Sequence, residues 1–247
     1  MTTSGPKLEH AASGRWKLIL LRFLLVVVGL AAWFGTQSMI GARQVDTGRL
    51  PIETDRVLET LTPVHEYLWT HMAARNALLI SSSAVIDILA VFMLARAIFG
   101  PTFRPFLGLL LLFGLRQIFQ AICILPAPDQ MIWVYPGFPS LLVTYGVSND
   151  LFFSGHTALA VFGAVELGRL NRRLIPLGVV LALAEMFAVL SLRAHWTMDV
   201  FAGAMTAVVV AMVAGKISPA VDGILQRMLG GGMGRRKLKR AADSARV

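Results

Sequence analysis

The chain has 247 residues, of which 56% are hydrophobic and only 15% are charged, with a net charge of +9 and one cysteine. This composition excludes an ordinary soluble domain and a disulfide framework, and several runs of about 20 apolar residues indicate a membrane protein with several spans. The positive charge does not indicate nucleic-acid binding, because the Lys and Arg residues are concentrated in particular loops.

The hydropathy pattern predicts an all-α, six-helix transmembrane bundle. Residues 1–14 are small and polar, and we predict a disordered cytoplasmic N-terminus there. Residues 15–217 form the membrane domain, and 218–247 form a basic cytoplasmic tail. The spans are predicted at about 18–40, 77–97, 104–125, 151–168, 174–194 and 197–216. The first is too long for a signal peptide and is interpreted as an anchor that stays.

Between the first two spans, residues 50–76 are predicted to form an amphipathic helix on the membrane surface. Apolar residues recur there at helical spacing: Leu58, Leu61, Val64, Leu68 and Met72. Pro63 either kinks this helix or marks its first turn with Thr62 as the cap. His65 and Glu66 are expected on a solvated face.

The distribution of Lys and Arg predicts the orientation of the chain. The N-terminus, the turns at 98–103 and 169–173 and the C-terminal segment hold most of the 23 basic residues, whereas residues 126–149 hold none. The positive-inside rule therefore places both termini in the cytoplasm. The short termini favour a bacterial protein, so we expect a plasma membrane location, in the bacterial inner membrane, with the polar motifs at the outer, periplasmic face.

The clearest motif is the pair His195 and Asp199, which lie four residues apart at the start of the last span. At this spacing both side chains share one helical face. A carboxylate there can hold the imidazole in one tautomer and raise its basicity, as in a catalytic triad.

A second motif, Ser154-Gly155-His156, opens the fourth span. Glycine allows close backbone approach, and the free N–H groups at a helix N-terminus favour an anion such as phosphate. We therefore predict that Ser154 and Gly155 bind substrate. Two histidines can divide the chemistry of phosphoryl transfer, because one attacks phosphorus and the other protonates the departing alcohol oxygen.

The two motifs together resemble the signatures of a known family. Asp150-x3-Ser154-Gly155-His156-Thr157 and His195-x-Thr197-x-Asp199-Val200 are similar to the signatures of the sphingomyelin synthase family, within the type-2 phosphatidic acid phosphatase (PAP2) superfamily. The resemblance covers roughly residues 105–215 and implies a PAP2-like core.

The resemblance also implies a mechanism. His195 would form a phosphohistidine, Asp199 would orient it, and His156 would serve as acid and then base. Asp150 would line the headgroup pocket, and no metal or other cofactor is implied. The donor would be a phospholipid and the acceptor ceramide or a similar lipid alcohol such as diacylglycerol.

The chain also departs from the patterns of that superfamily. Its phosphatases usually carry an Arg six residues before the second histidine, where this chain has Val189, and sphingomyelin synthases carry Tyr where this chain has Trp196. The first departure argues against an ordinary phosphatase, and the second puts the donor and acceptor in question. The alternative to a headgroup transferase is a lipid phosphate phosphatase or phospholipase C-like hydrolase, which would use the same phosphohistidine with water as the acceptor. A non-catalytic lipid-binding or transport protein is the third hypothesis.

Other polar and aromatic residues allow two interpretations each. Arg116 either pairs with Asp87 or binds phosphate, and Arg193 either neutralises a phosphate or reaches to lipid headgroups. Asp150 can also cap the fourth span, and Asp199 the last. The aromatic residues Trp133, Tyr135 and Phe138 are interpreted as an interfacial belt rather than as a cage for a quaternary ammonium.

Overall fold

The computed structural model describes residues 7–42, 54–123, 125–146 and 151–230, and this part of the chain consists of helices and loops without strands. Its α-helices are α1 Lys7–Gly41, α2 Arg56–Thr60, α3 Thr62–Thr70, α4 Met72–Phe99, α5 Arg104–Ile122, α6 Gly155–Leu170, α7 Ile175–Ser191 and α8 Thr197–Gly230. The all-α class is thus confirmed. Asp150 and the basic residues 235–240 lie outside the described residues.

Five of the described helices are long and apolar enough to cross a membrane. They are Gly14–Gly41, Met72–Phe99, Arg104–Ile122, Arg172–Ser191 and Thr197–Leu229. The predicted fourth span is the exception, because α6 has 16 residues and extends only about 24 Å, against a hydrocarbon core of about 30 Å. The chain is a membrane protein, whereas the count of six spans and the side of each terminus stay predictions.

Several boundaries differ from those that the sequence predicts. Helix α1 begins at Lys7, inside the segment 1–14, and α8 continues past residue 217 to Gly230. In place of the single surface helix predicted at 50–76, the described residues form two short helices, α2 and α3, and from Met72 onward they belong to α4. Thr62 is not the cap of α3, because Leu61 occupies that position and Pro63 lies in the first turn.

Helix α6 lies at the centre of the bundle and contacts α4, α5, α7 and α8. Its Ala158, Ala160 and Phe162 are completely buried. Small residues allow α6 and α7 to pack closely. A Cβ on Gly178 of α7 would lie 2.9 Å from the Cβ of Ala164 in α6. Close backbone approach of this kind is the usual source of helix association in lipid, where apolar burial gives little driving force.

A polar cluster joins α1, the 100–103 turn and α8 at one end of the bundle. Asp222 accepts a hydrogen bond from the Arg22 guanidinium at 3.0 Å, from the Thr102 hydroxyl at 2.6 Å and from the Phe103 backbone N–H at 2.8 Å. Arg22 also donates to the carbonyl oxygen of Gly100. At the same end, buried Arg104 of α5 pairs with buried Glu166 of α6.

We predict that Asp222→Ala destabilises the protein strongly, because it leaves the buried Arg22 guanidinium without its carboxylate. Removing one partner of a buried ion pair costs about 3–5 kcal/mol. Thermal unfolding in detergent measures the effect. The control is Glu59→Ala, which removes the exposed Arg56–Glu59 pair and is expected to cost less than about 1 kcal/mol. Equal effects of the two substitutions would contradict this view of the cluster.

Candidate active site

A small cavity of about 70 Å³ lies at the opposite end of the bundle, where α6 and α8 begin. His156 and His195 both line it, together with Arg116 and Gly155. The structure therefore brings both predicted histidines to one cavity, although they are 39 positions apart in the chain. None of the described residues forms a cluster of three or more His, Cys, Asp or Glu side chains suited to a metal ion.

Asp199 lies directly behind His195. Its side chain is completely buried, and its Oδ2 atom is 3.7 Å from Nδ1 of His195. The same Oδ2 atom accepts a hydrogen bond from the backbone N–H of Trp196 at 3.0 Å. Asp199 thus caps α8, as a residue of a capping box does, and also faces the imidazole. The two interpretations of Asp199 from the sequence are compatible.

The N-termini of α6 and α8 contact each other at the cavity. The backbone N–H of Ser154 donates to the carbonyl oxygen of Asp199 at 3.1 Å. Gly203 permits this approach, because a Cβ there would lie 2.6 Å from the Ser154 carbonyl oxygen. Ser154 is buried, and its hydroxyl oxygen caps α6 by accepting from Thr157 N–H. Two helix N-termini, which carry positive partial charge, therefore adjoin the cavity.

Arg116 supplies a positive charge to the cavity wall. Its Nε atom donates to the Phe153 carbonyl oxygen at 3.0 Å, and Nη1 donates to Oε1 of Gln37 at 3.4 Å. A Cβ on Gly155 would lie 3.1 Å from that Nε atom, so glycine lets the guanidinium lie across the start of α6. This position suits a phosphate ligand.

Arg193 is placed differently from Arg116. It has positive φ (51°), it is buried, and its guanidinium donates at 3.1 Å both to Oε1 of Gln130 and to the hydroxyl oxygen of Thr62. These bonds hold the loop that precedes His195. The predicted contact of Arg193 with a phosphate stays a prediction, as do the substrate-binding roles of Ser154, Gly155 and Asp150.

Asp55, the N-cap of α2, and residues of α3 hold the loop that carries His195, a role that the sequence did not predict. The Asp55 carboxylate accepts from the backbone N–H of Thr197 at 2.8 Å and from its hydroxyl at 2.7 Å. His65 is buried rather than solvated, and its Nδ1 atom lies 3.0 Å from the Ser191 carbonyl oxygen. We call Asp55, Thr62 and His65 the clamp, since they fix the chain on both sides of His195.

The charge state of His65 follows from its surroundings. Burial is the main cause that lowers its pKa, and the positive charge of Arg193 acts in the same direction. The imidazole is therefore neutral near pH 7, and Nδ1 carries the proton, because a carbonyl oxygen can only accept.

Two carboxylates within the predicted spans, half-buried Asp87 and buried Glu185, hold other parts of the scaffold. Asp87 accepts from the backbone N–H groups of Leu141 and Leu142 and from the Ser140 hydroxyl, which anchors the 125–146 loop to α4. Glu185 of α7 accepts from the Ser82 hydroxyl at 2.7 Å.

The aromatic residues of this loop divide into two groups. Tyr135 and Phe138 are exposed, as an interfacial belt requires. Trp133 instead lines the cavity, and its ring meets the His156 ring edge-on at 5.1 Å. The belt interpretation therefore fits only two of the three residues.

Taken together, these features define a helical membrane protein whose two histidines, a buried carboxylate and an arginine meet at adjoining helix N-termini. The AtPDCT1/2 family model matches residues 53–216, from the clamp through most of α8. The chain belongs to this family, the phosphatidylcholine:diacylglycerol cholinephosphotransferases. Membership implies an enzyme that transfers lipid headgroups, in agreement with the predicted class of activity. No curated protein and no solved structure matches the chain.

The family match corrects the resemblance to the sphingomyelin synthase family and the PAP2 superfamily, which is wrong. That resemblance depended on short motifs around His156 and His195. Such motifs reflect local phosphoryl-transfer chemistry and do not determine the lipid that the rest of the bundle binds. Ceramide as an acceptor is accordingly not supported, whereas a phospholipid donor and a diacylglycerol acceptor fit the family.

We predict that Asp55→Asn loosens the loop around His195, because an amide offers one acceptor oxygen in place of two. Hydrogen exchange of the backbone amides of residues 191–199 should become at least about tenfold faster, since the loss of roughly 1.5 kcal/mol in a charged hydrogen bond has that effect. Glu59→Gln, on the exposed face of α2, serves as the control. Unchanged exchange in the Asp55 variant would show that the clamp does not restrain the loop.

Proposed function

We propose that the protein transfers phosphocholine from phosphatidylcholine to diacylglycerol, and that His156, His195 and Asp199 carry out the transfer. One observation carries this proposal: both histidines line the same cavity, in a chain whose residues 53–216 match the AtPDCT1/2 family. The family supplies the substrate class, and the cavity supplies groups suited to the chemistry.

In the first step, His195 attacks phosphorus. Asp199 lies near Nδ1 of His195, which favours the proton on that atom and leaves the Nε2 lone pair for attack. The new bond joins Nε2 to phosphorus, and the bond between phosphorus and the diacylglycerol oxygen breaks. Protonated His156 gives its proton to that oxygen, and diacylglycerol leaves.

In the second step, another diacylglycerol takes the place of the first. His156 accepts the proton of its hydroxyl, and the oxygen attacks the phosphorus on His195. The phosphorus–nitrogen bond breaks, and a new phosphatidylcholine forms while both histidines return to their starting states. One phosphate ester replaces another of the same kind, so the exchange is nearly balanced in free energy and requires no nucleotide.

The cavity contains suitable partners for both parts of the headgroup. The Arg116 guanidinium and the N-termini of α6 and α8 favour the negative charge that develops on the phosphoryl oxygens. Trp33 and Trp133 line the same cavity, and aromatic faces bind quaternary ammonium groups such as choline. Asp150, which lies outside the described residues, is also proposed to line the headgroup pocket.

The orientation in the membrane belongs to the same proposal. The end that holds the Asp222 cluster also carries the basic turns, which supports a cytoplasmic location for that end. The cavity then opens at the outer face, with α6 as a sixth, short span between two longer ones.

We predict that His195→Ala lowers phosphocholine transfer by at least about a thousandfold, because no other group replaces the nucleophile. The assay uses headgroup-labelled phosphatidylcholine with a diacylglycerol of different chain composition, and it measures label in the new phosphatidylcholine. His71→Ala, which changes an exposed histidine between α3 and α4, should keep wild-type activity.

Two results would contradict the proposal. Label that appears only in water-soluble product would make the protein a hydrolase that uses water. Transfer that continues at the wild-type rate in His195→Ala would show that His195 is not the nucleophile.

A further inference from the structure

An apolar groove runs along the outside of the bundle between α1, α4 and α5, with a volume of about 210 Å³. Its floor includes Gly29 and Leu30 of α1, Leu94 of α4, and Leu110 and Gly114 of α5. Among the described residues that line it, the hydroxyl or amide side chains are those of Thr36 and Gln117. The Thr36 hydroxyl donates to carbonyl oxygens of its own helix. The surface of the groove is therefore almost entirely apolar.

The groove adjoins the cavity that holds the histidines. The side chains that line both spaces form the boundary between them, and they are Trp33, Phe113, Leu142 and Leu159. The ring centroids of Trp33 and Phe113 are 5.0 Å apart. Gln117 of the groove donates to Gln37 of the cavity wall at 2.9 Å. The lining therefore changes from apolar in the groove to polar in the cavity across a single layer of side chains.

The length of the groove is close to that of one acyl chain. Along α5 its lining extends from Phe106 to Gln117, about 17 Å at the helical rise, against roughly 15 Å for half of the hydrocarbon core. The polar end adjoins Arg116 of the cavity wall, and the apolar end reaches Phe106 in the first turn of α5, toward the end of the bundle that holds the Asp222 cluster. A lipid with its headgroup in the cavity has an acyl chain of matching length and direction.

We propose that this groove binds one acyl chain of the lipid whose phosphoester lies at His195. The identity of the lipid rests on the proposed function, but the groove itself does not. Its α1 wall lies outside residues 53–216, so the family match does not carry it. Lipid tails surround the protein in the membrane, so an acyl chain gains little hydrophobic free energy when it moves from the bilayer into the groove. Its effect is to fix the position of the ester relative to the histidines.

Two glycines offer a matched pair of substitutions. A Cβ on Gly114, in the groove, and a Cβ on Gly35, on α1 outside the groove lining, would each meet no atom within 4 Å. Gly114→Phe therefore fills the groove without a backbone clash, and Gly35→Phe adds the same side chain to an open surface. Both positions are exposed in helices, so both variants are expected to fold.

The first test compares acceptors with long and short chains. Gly114→Phe should lower transfer to long-chain diacylglycerol by about tenfold or more, because the chain can no longer align the ester. Transfer to a dihexanoyl acceptor should change far less, and Gly35→Phe should match the wild type with both acceptors. Equal losses with both chain lengths, or equal effects of the two glycine variants, would overturn the proposal.

The second test requires no turnover and therefore separates the groove from the proposed reaction. The probe is phosphatidylcholine with a diazirine midway along one acyl chain, cross-linked to purified wild-type protein and to His195→Ala in detergent micelles. Adducts should concentrate on groove residues such as Ala32 and Leu110 in both proteins, decrease with excess unlabelled phosphatidylcholine, and disappear in Gly114→Phe. Adducts spread evenly over all lipid-facing helices, or unaffected by Gly114→Phe, would mean ordinary surrounding lipid and would refute the groove even if transfer is confirmed.

Discussion

The site depends on the contact between the N-termini of α6 and α8. The hydrogen bond from Ser154 N–H to the Asp199 carbonyl oxygen joins the two helices where His156 and His195 extend from them. Gly203 makes the bond possible, because any side chain there would displace the Ser154 carbonyl. If this contact separated, the two histidines would lose their common cavity, and the dipoles of both helices would no longer act on one ligand.

The short length of α6 explains how so much polarity is tolerated inside a hydrophobic bundle. Each end of this helix lies within the longer helices around it, so polar groups at its ends are enclosed by protein. At one end Glu166 pairs with Arg104, and at the other Arg116 donates to the Phe153 carbonyl oxygen. Ionisable groups in a membrane are costly unless they are paired in this way or serve a function. His156 and His195 are the groups at the second end that the scaffold leaves available for chemistry.

The periodicity of apolar residues was sufficient to predict the helical class and the approximate helices, and the i, i+4 spacing was sufficient to pair His195 with Asp199. The clamp was not predictable, because a sequence shows that Asp55 can cap a helix but not that it also reaches Thr197, 142 positions away. The groove could not be predicted from the sequence either, since lipid-facing and groove-lining residues are both mainly apolar. The family was misjudged because the resemblance depended on short motifs, and such motifs do not determine the family or the lipid that a chain binds.

The most direct measurement is the search for a covalent intermediate on His195. Purified protein would be mixed with phosphatidylcholine bearing a deuterated choline group, without acceptor, quenched in alkali and analysed by peptide mass spectrometry. The account predicts a phosphocholine adduct on the peptide that contains His195, absent in His195→Ala and removed by added diacylglycerol. If transfer proceeds while no adduct forms, or if the adduct resides on His156, the assignment of His195 as the nucleophile of this cavity is contradicted.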